Sequence, residues 1–154
     1  MLLNGINHVA TLTNDTDRLH AFYRDVFDAE VVHDNTDAAE GPGVRMSVVD
    51  IGNGTMLNVF DIAGNSEATR QTPMFGRGRI DHLGLRAKDL ASFEEIRRRL
   101  MERGAADAFV TDFGEDLSLF FRDPDGLEGE VLVDNPDAVP GVHNPPGTQA
   151  ARFA

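Results

Sequence analysis

Ile80-Asp81-His82-Leu83-Gly84-Leu85-Arg86 reads as a short strand with a histidine set into it. The chain carries nearly the same message earlier, at Ile6-Asn7-His8-Val9-Ala10-Thr11-Leu12, an offset of 74 (82 − 8). Each stretch has isoleucine two residues before the histidine and a small residue two after. Each is followed by an aspartate able to start a helix, Asp15 and Asp89, at the same offset. The far ends match too: Gly54-Thr55-Met56-Leu57-Asn58-Val59-Phe60 lines up with Gly126-Leu127-Glu128-Gly129-Glu130-Val131-Leu132, so Asn58 falls where Glu130 falls. Similarity at a nearly fixed offset marks an internal duplication.

Working outward, the first copy reads β-α-β-β-β. Ile6 to Thr13 alternates as a strand, with Ile6, His8, Ala10 and Leu12 on one face. Asp15 to Phe27 carries Leu19, Phe22, Tyr23, Val26 and Phe27 at helical spacing, and Asn14 or Asp15 can cap it. Glu30 to His33 is a short strand. Val44 to Ile51 and Met56 to Ile62 are strands joined by the hairpin signal Gly52-Asn53-Gly54. The second copy repeats the plan. It has a strand over Ile80–Ala87 and a helix over Asp89–Arg103, with Leu90, Phe93, Ile96 and Leu100 as its buried stripe. Three more strands follow, over Ala108–Thr111, Leu117–Phe121 and Gly129–Val133.

Between the copies, Ala63–Arg79 has no periodicity, apart from an apolar Met74-Phe75 expected to pack on something. From Asp134 onward, Asn135-Pro136, Val139-Pro140-Gly141 and Asn144-Pro145-Pro146-Gly147 forbid regular structure. The tail is either disordered or laid across a neighbouring surface. The expected organisation is a first module over 1–63, a linker over 64–79, a second module over 80–134 and a Pro-rich tail over 135–154.

Composition narrows the function. A chain of 154 residues buries about 70% of its unfolded surface and needs no covalent staples. The absence of cysteine removes disulfides, thiolate zinc sites and a cysteine nucleophile, and is compatible with a cytoplasmic location. No apolar stretch approaches the ~18 residues of a membrane span, and the N-terminus lacks a signal-peptide pattern. A formal net charge of −12 argues against nucleic acid, whose phosphates need a basic surface.

Two histidines and one carboxylate, related by the repeat, suit a divalent first-row metal and leave positions open for substrate. His8, His82 and Glu130 are the expected ligands, all placed on strands. Ala10 and Gly84 share a strand face with each histidine and leave room beside it. Arg86 shares that face with His82 and is a candidate contact for an anionic substrate. Glu128 has the parity of Glu130 and reads as an outer strand residue. The bland alternative makes His8 and His82 half-buried histidines bonded to nearby carbonyls, with Glu130 in solvent. His20, His33 and His143 read as solvated surface residues, with a role for His143 over the site as the less favoured option.

Over residues 5 to 134 the chain resembles the vicinal oxygen chelate superfamily, which includes glyoxalase I, bleomycin-resistance proteins, methylmalonyl-CoA epimerase and extradiol dioxygenases. The marks are Asn7-His8-Val9-Ala10, Ala21-Phe22-Tyr23-Arg24-Asp25-Val26-Phe27, Asp81-His82-Leu83, and Phe120-Phe121-Arg122-Asp123-Pro124-Asp125-Gly126 leading to Glu130. The resemblance implies an α+β fold of two βαβββ modules, a curled mixed sheet around a cavity with helices outside. It implies ligand positions at His8, Asn58, His82 and Glu130. Asn58 departs from the Glu or Gln of glyoxalase I and the epimerase. It cannot act as a base near neutral pH, and serves as a weak fourth ligand or a substrate hydrogen bond. The remaining His-His-Glu set resembles that of the extradiol dioxygenases, without their additional His and Tyr residues.

The function expected is a metal-dependent enzyme (Fe, Mn, Ni or Zn) of dioxygenase, lyase or isomerase type, acting on a small oxygen-bearing substrate. A metal there supplies Lewis acidity to two neighbouring oxygens or, as Fe(II), dioxygen activation. The alternative is a metal-free binding or drug-sequestering protein of the bleomycin-resistance kind. The partners expected are a small molecule and a second copy of the chain in a homodimer, with no nucleic acid or membrane.

Overall fold

The computed structural model describes Leu2 and residues 6–35, 42–70, 76 and 80–154. The linker expected over Ala63–Arg79 lies partly outside these residues, and Met74-Phe75 wholly so. The chain divides into two compact units. One is Met1–Gln71 with Pro124–Gly126, the other Thr72–Asp123 with Leu127–Ala154. Each carries one βαβββ module of the α+β class.

In the first unit the elements are β1 (His8–Thr13), α1 (Thr16–Phe27), β2 (Glu30–Asn35), β3 (Val44–Asp50) and β4 (Met56–Ile62). Asp15 caps α1, its carboxylate accepting from the Arg18 amide. The four strands form one mixed sheet in the order β1-β4-β3-β2, with β1 parallel to β4 and the other pairs antiparallel. Leu19, Phe22, Tyr23 and Val26 of α1 are buried with Val49, Leu57 and Val59 of the sheet. Burial of such side chains contributes roughly 1.5–3 kcal/mol each. The β7–β8 turn residue Asp125 belongs to this unit, and its carboxylate accepts hydrogen bonds from Thr13 Oγ1 and Arg18 Nη2.

The second unit repeats the design with β5 (Leu83–Arg86), α2 (Leu90–Glu102), β6 (Thr111–Asp112), β7 (Asp116–Arg122) and β8 (Glu128–Asp134), in the order β5-β8-β7-β6. Asp89 caps α2 through the Ser92 amide. Phe93 and Leu100 are fully buried, as are Leu119 and Val131 on the sheet face that α2 covers. Two strands differ from expectation. β5 begins after His82 rather than at Ile80, because its ladder with β8 starts only at Leu83↔Gly129. β6 is two residues long and lies later than Ala108, since Asp107 accepts from the Phe109 amide and the Val110 carbonyl accepts from the amide of Ala150.

Gly129 permits a close approach inside this sheet. It sits opposite Phe121 on β7, and an added Cβ would run into the Phe121 ring. The aromatic side chain fills the space that the glycine leaves.

The segment after β8 is irregular but seated on the second unit. Gln149 bridges Thr111 on β6, the Asp112 amide donates to the Thr148 carbonyl, and Ala150 is buried. Within the single 3₁₀ turn Ala151–Phe153, the Phe153 ring lies 5.8 Å from Phe93, and the Arg97 guanidinium stands 5.2 Å over Phe153. The segment therefore covers the open edge of β6, which would otherwise offer unpaired backbone groups. Among the described residues no helix is long and apolar enough to cross a membrane.

Candidate functional site

Strand registers place the repeat-related residues on equivalent rungs. Ala10 pairs with Asn58 and Asn58 with Val48 in the first sheet. Gly84 pairs with Glu130 and Glu130 with Phe120 in the second. Because side chains alternate along a strand, Glu128, Glu130, Leu132 and their partners share the face turned away from α2.

On that face of the second unit, Glu130 is buried, and each of its carboxylate oxygens has a neighbour. Oε1 accepts a 2.5 Å hydrogen bond from Ser118 Oγ, itself fully buried. Oε2 lies 3.4 Å from Nε2 of His82. The other ring nitrogen, Nδ1, lies 3.0 Å from Oδ2 of Asp81. The Phe120 ring stands edge-on to the imidazole, with centroids 5.7 Å apart. His82 immediately precedes β5, so of the three expected ligands only His8 and Glu130 are strand residues.

The first unit presents its counterpart more openly. His8 opens β1 and is exposed, with Nδ1 2.9 Å from Asn7 Oδ1. Asn58 is half-buried in mid-strand, and Ala10 beside it is exposed. The surrounding face, with Leu12, Met46, Val48, Met56 and Phe60, is apolar and half-exposed. In neither unit, among the described residues, does a group of three His, Asp or Glu side chains stand ready to hold one ion. His82 and Glu130 come together in one unit, and His8 is carried by the other.

The remaining candidates have defined surroundings. Arg86 lies at the exposed end of β5, its guanidinium shared between Asp116 at 3.1 Å and Asp134 at 3.0 Å. The open side of Gly84 is limited by Leu132, whose Cδ1 would be 3.2 Å from an added Cβ. Glu128 is buried rather than an outer strand residue, and accepts from Arg122 Nε at 3.0 Å. It borders an open cavity of about 410 Å³ with Gly104, Ala105, Phe120 and Arg122. His33 and His143 are exposed, as expected.

His20 is not a surface residue. It is buried on α1, with Nε2 2.7 Å from the fully buried Ser47 Oγ on β3. Burial holds its pKa below the ordinary 6.5, while Asp34 and Asp17 oppose that shift and Arg45 and Arg24 assist it. Between the lowered folded value and 6.5 the unfolded chain binds the extra proton. The contribution of His20 to stability is therefore complete above about pH 6.5 and falls as pH drops through that window, by at most ~1.4 kcal/mol per pH unit. Denaturant midpoints between about pH 7.5 and 5 should fall less steeply in His20→Gln than in the parent. Equal slopes would show that another group is responsible.

Sequence reasoning missed Asn7, Asp81 and Ser118 as partners of the ligand candidates. The first two precede their histidines at the repeat offset, which was a usable signal. Ser118 sits in an apolar strand and is tied to Glu130 only through the β7–β8 register.

The family model described as Glyoxalase/Bleomycin resistance protein/Dioxygenase superfamily matches residues 5–131. No curated protein matches the chain. Among solved structures, the glyoxylase/bleomycin resistance protein/dioxygenase domain from Frankia sp. EAN1pec is 21% identical with a TM-score of 0.69, over 88% of this chain and 95% of that one. A glyoxalase family protein from Enterococcus faecalis is 24% identical with a TM-score of 0.65, over 86% and 99%. The fosfomycin resistance protein FosX from Listeria monocytogenes, in complex with Mn(II) and sulfate, is 17% identical with a TM-score of 0.63, over 88% and 96%. At these identities the structural likeness speaks for the fold, and the match of the family model speaks for descent. The chain belongs to the glyoxalase/bleomycin resistance protein/dioxygenase superfamily.

Proposed function

We propose that the protein is a metal-dependent enzyme acting on a small oxygen-bearing substrate, with His8, His82 and Glu130 holding a divalent ion. The observation that carries this reading is the 3.4 Å approach of His82 Nε2 to Glu130 Oε2. Asp81 accepts at Nδ1 and Ser118 donates to the other carboxylate oxygen, so a neutral His82 with its hydrogen on Nδ1 turns the Nε2 lone pair toward Glu130. A proton on Nε2 or a divalent ion would relieve their repulsion, and the 3.4 Å separation is longer than a direct N–H···O bond. An imidazole nitrogen and a carboxylate oxygen this close could serve as two donors to one divalent ion.

The third donor, His8, comes from the first unit of the same chain or of a second copy, which is why a homodimer belongs to this reading. Asn58, on the rung equivalent to Glu130, offers an amide to the ion or to a substrate oxygen. Ala10 leaves its side of the first sheet open, whereas the space at Gly84 is bounded by Leu132. Arg86 would meet an anionic substrate by exchanging one of its two carboxylate partners. Support for the substrate class comes from FosX, a variant of which was crystallised with Mn(II) and 1S,2S-dihydroxypropylphosphonic acid, a molecule with two adjacent oxygens. A bound metal would supply Lewis acidity.

The test is elemental analysis of protein purified without chelators or metal-affinity resin, beside His82→Ala, with the mass of each sample measured by light scattering. About one equivalent of iron, manganese, nickel or zinc is expected in the parent and a small fraction of that in the variant, with both samples dimeric. No metal in either sample, and none taken up on titration, would overturn the enzyme reading in favour of a metal-free binding protein.

A further inference from the structure

We propose that Asn7 and Asp81 are paired positioning residues that lock His8 and His82 in the Nδ1–H tautomer, so that each unit presents Nε2 as its donor atom. The assignment rests on the metal reading above for its purpose, though not for its test.

The same contact occurs twice. Nδ1 of His8 lies 2.9 Å from the side-chain oxygen of Asn7, and Nδ1 of His82 lies 3.0 Å from a carboxylate oxygen of Asp81. The two pairs stand at the repeat offset of 74 (81 − 7). A carboxylate or amide oxygen only accepts, so Nδ1 carries the hydrogen in both rings. A neutral imidazole has one N–H, which leaves the lone pair on Nε2. Glu130 Oε2 stands 3.4 Å from that Nε2, a longer approach than the 3.0 Å between Nδ1 and Asp81, so the shorter contact decides which nitrogen carries the hydrogen.

Adjacency in sequence does not produce this contact by itself. Consecutive side chains in a strand point to opposite faces. Here the partner residue lies outside the strand in both units, since β1 begins at His8 and β5 begins after His82.

The two copies differ in one respect. Asp81 is anionic and Asn7 neutral, and charge-assisted hydrogen bonds are roughly twice as strong as neutral ones. His82 is therefore held more firmly, and Asp81 matters more than Asn7. Asp81→Asn would reproduce in the second unit the arrangement that the first already uses.

The experiment uses the full chain. Long-range 1H–15N spectra of the metal-free protein at about pH 8, where an ordinary imidazole is neutral, report the tautomer of each ring. Mn(II) affinity is measured by calorimetry on the same samples. Nδ1–H is expected at both histidines in the parent. In Asp81→Ala, His82 should shift toward Nε2–H and Mn(II) should bind about 10–100-fold more weakly. Asp81→Asn should keep the parent tautomer and most of the affinity, and Asn7→Ala should release His8 alone with a smaller loss. Nε2–H at His82 in the parent, or a tautomer unmoved in Asp81→Ala, would overturn the assignment even if Mn(II) binds. The expected tautomers without Mn(II) binding would uphold it and sink the metal reading instead.

Discussion

Glu130→Ala is expected to weaken metal binding by more than ~100-fold, beyond the 10–100-fold that outer partners cost, while leaving the metal-free protein about as stable as the parent. Glu130 supplies the one anionic donor in the proposed set. Without it, two neutral imidazoles would face a dication beside a largely buried wall, and uncompensated charge is costly there. In the metal-free protein two effects oppose each other. Removing a buried carboxylate relieves a desolvation cost, whereas Ser118 Oγ, fully buried, loses its acceptor at roughly 1–3 kcal/mol. The net change in unfolding free energy should stay within about 1 kcal/mol. Calorimetric titration and urea denaturation on the same samples check both halves. A variant that binds as tightly as the parent would remove Glu130 from the ligand set.

Phe93→Ala should have the largest effect on stability, about 3–5 kcal/mol. Small domains have only 5–15 kcal/mol in total. Phe93 is fully buried beneath the second sheet, and its ring also receives Phe153 from the C-terminal segment. Truncation leaves a cavity under β8 and removes the surface on which that segment rests. Residues 135–154 should then become sensitive to limited proteolysis at a denaturant concentration the parent resists. Phe153→Ala separates the two contributions. An aromatic pair adds about 0.5–1.5 kcal/mol beyond its area, so this variant should loosen the segment at a much smaller cost to the unit. A loss below about 1 kcal/mol for Phe93→Ala would contradict its place in the core.

The parts of the fold that repeat were the parts that could be read in advance. Asp15 and Asp89 begin both helices as expected, because a capping side chain is a local device. The offsets relating Ala10 to Gly84 and Asn58 to Glu130 reappear as equivalent rungs of two sheets. What escaped reading depends on partners distant in sequence. His20 shares its helix side with Thr16 and Tyr23, so the buried stripe is wider than its apolar residues suggest. Thr16 donates to Asp61 and His20 meets Ser47, both on the sheet below. Nothing near position 20 announces Ser47. The two-residue β6 is likewise defined by β7 and by Gln149, without a local pattern of its own. The tail's Pro and Gly pairs carry no sign of the single 3₁₀ turn at its end, and Phe153 reveals its seat only beside Phe93 and Arg97.

The turn at Pro124–Gly126 has a consequence for dividing this chain. These three residues are covalently part of the β7–β8 hairpin, yet they belong to the first compact unit, where Asp125 receives Thr13 and Arg18. The smallest self-contained piece of the first half is thus not a continuous stretch of gene. A fragment stopping near Gln71 would keep β1 to β4 and α1 but lose the acceptor for Thr13. Shuffling or swapping one half for a homologous half would have to carry a three-residue patch along with it.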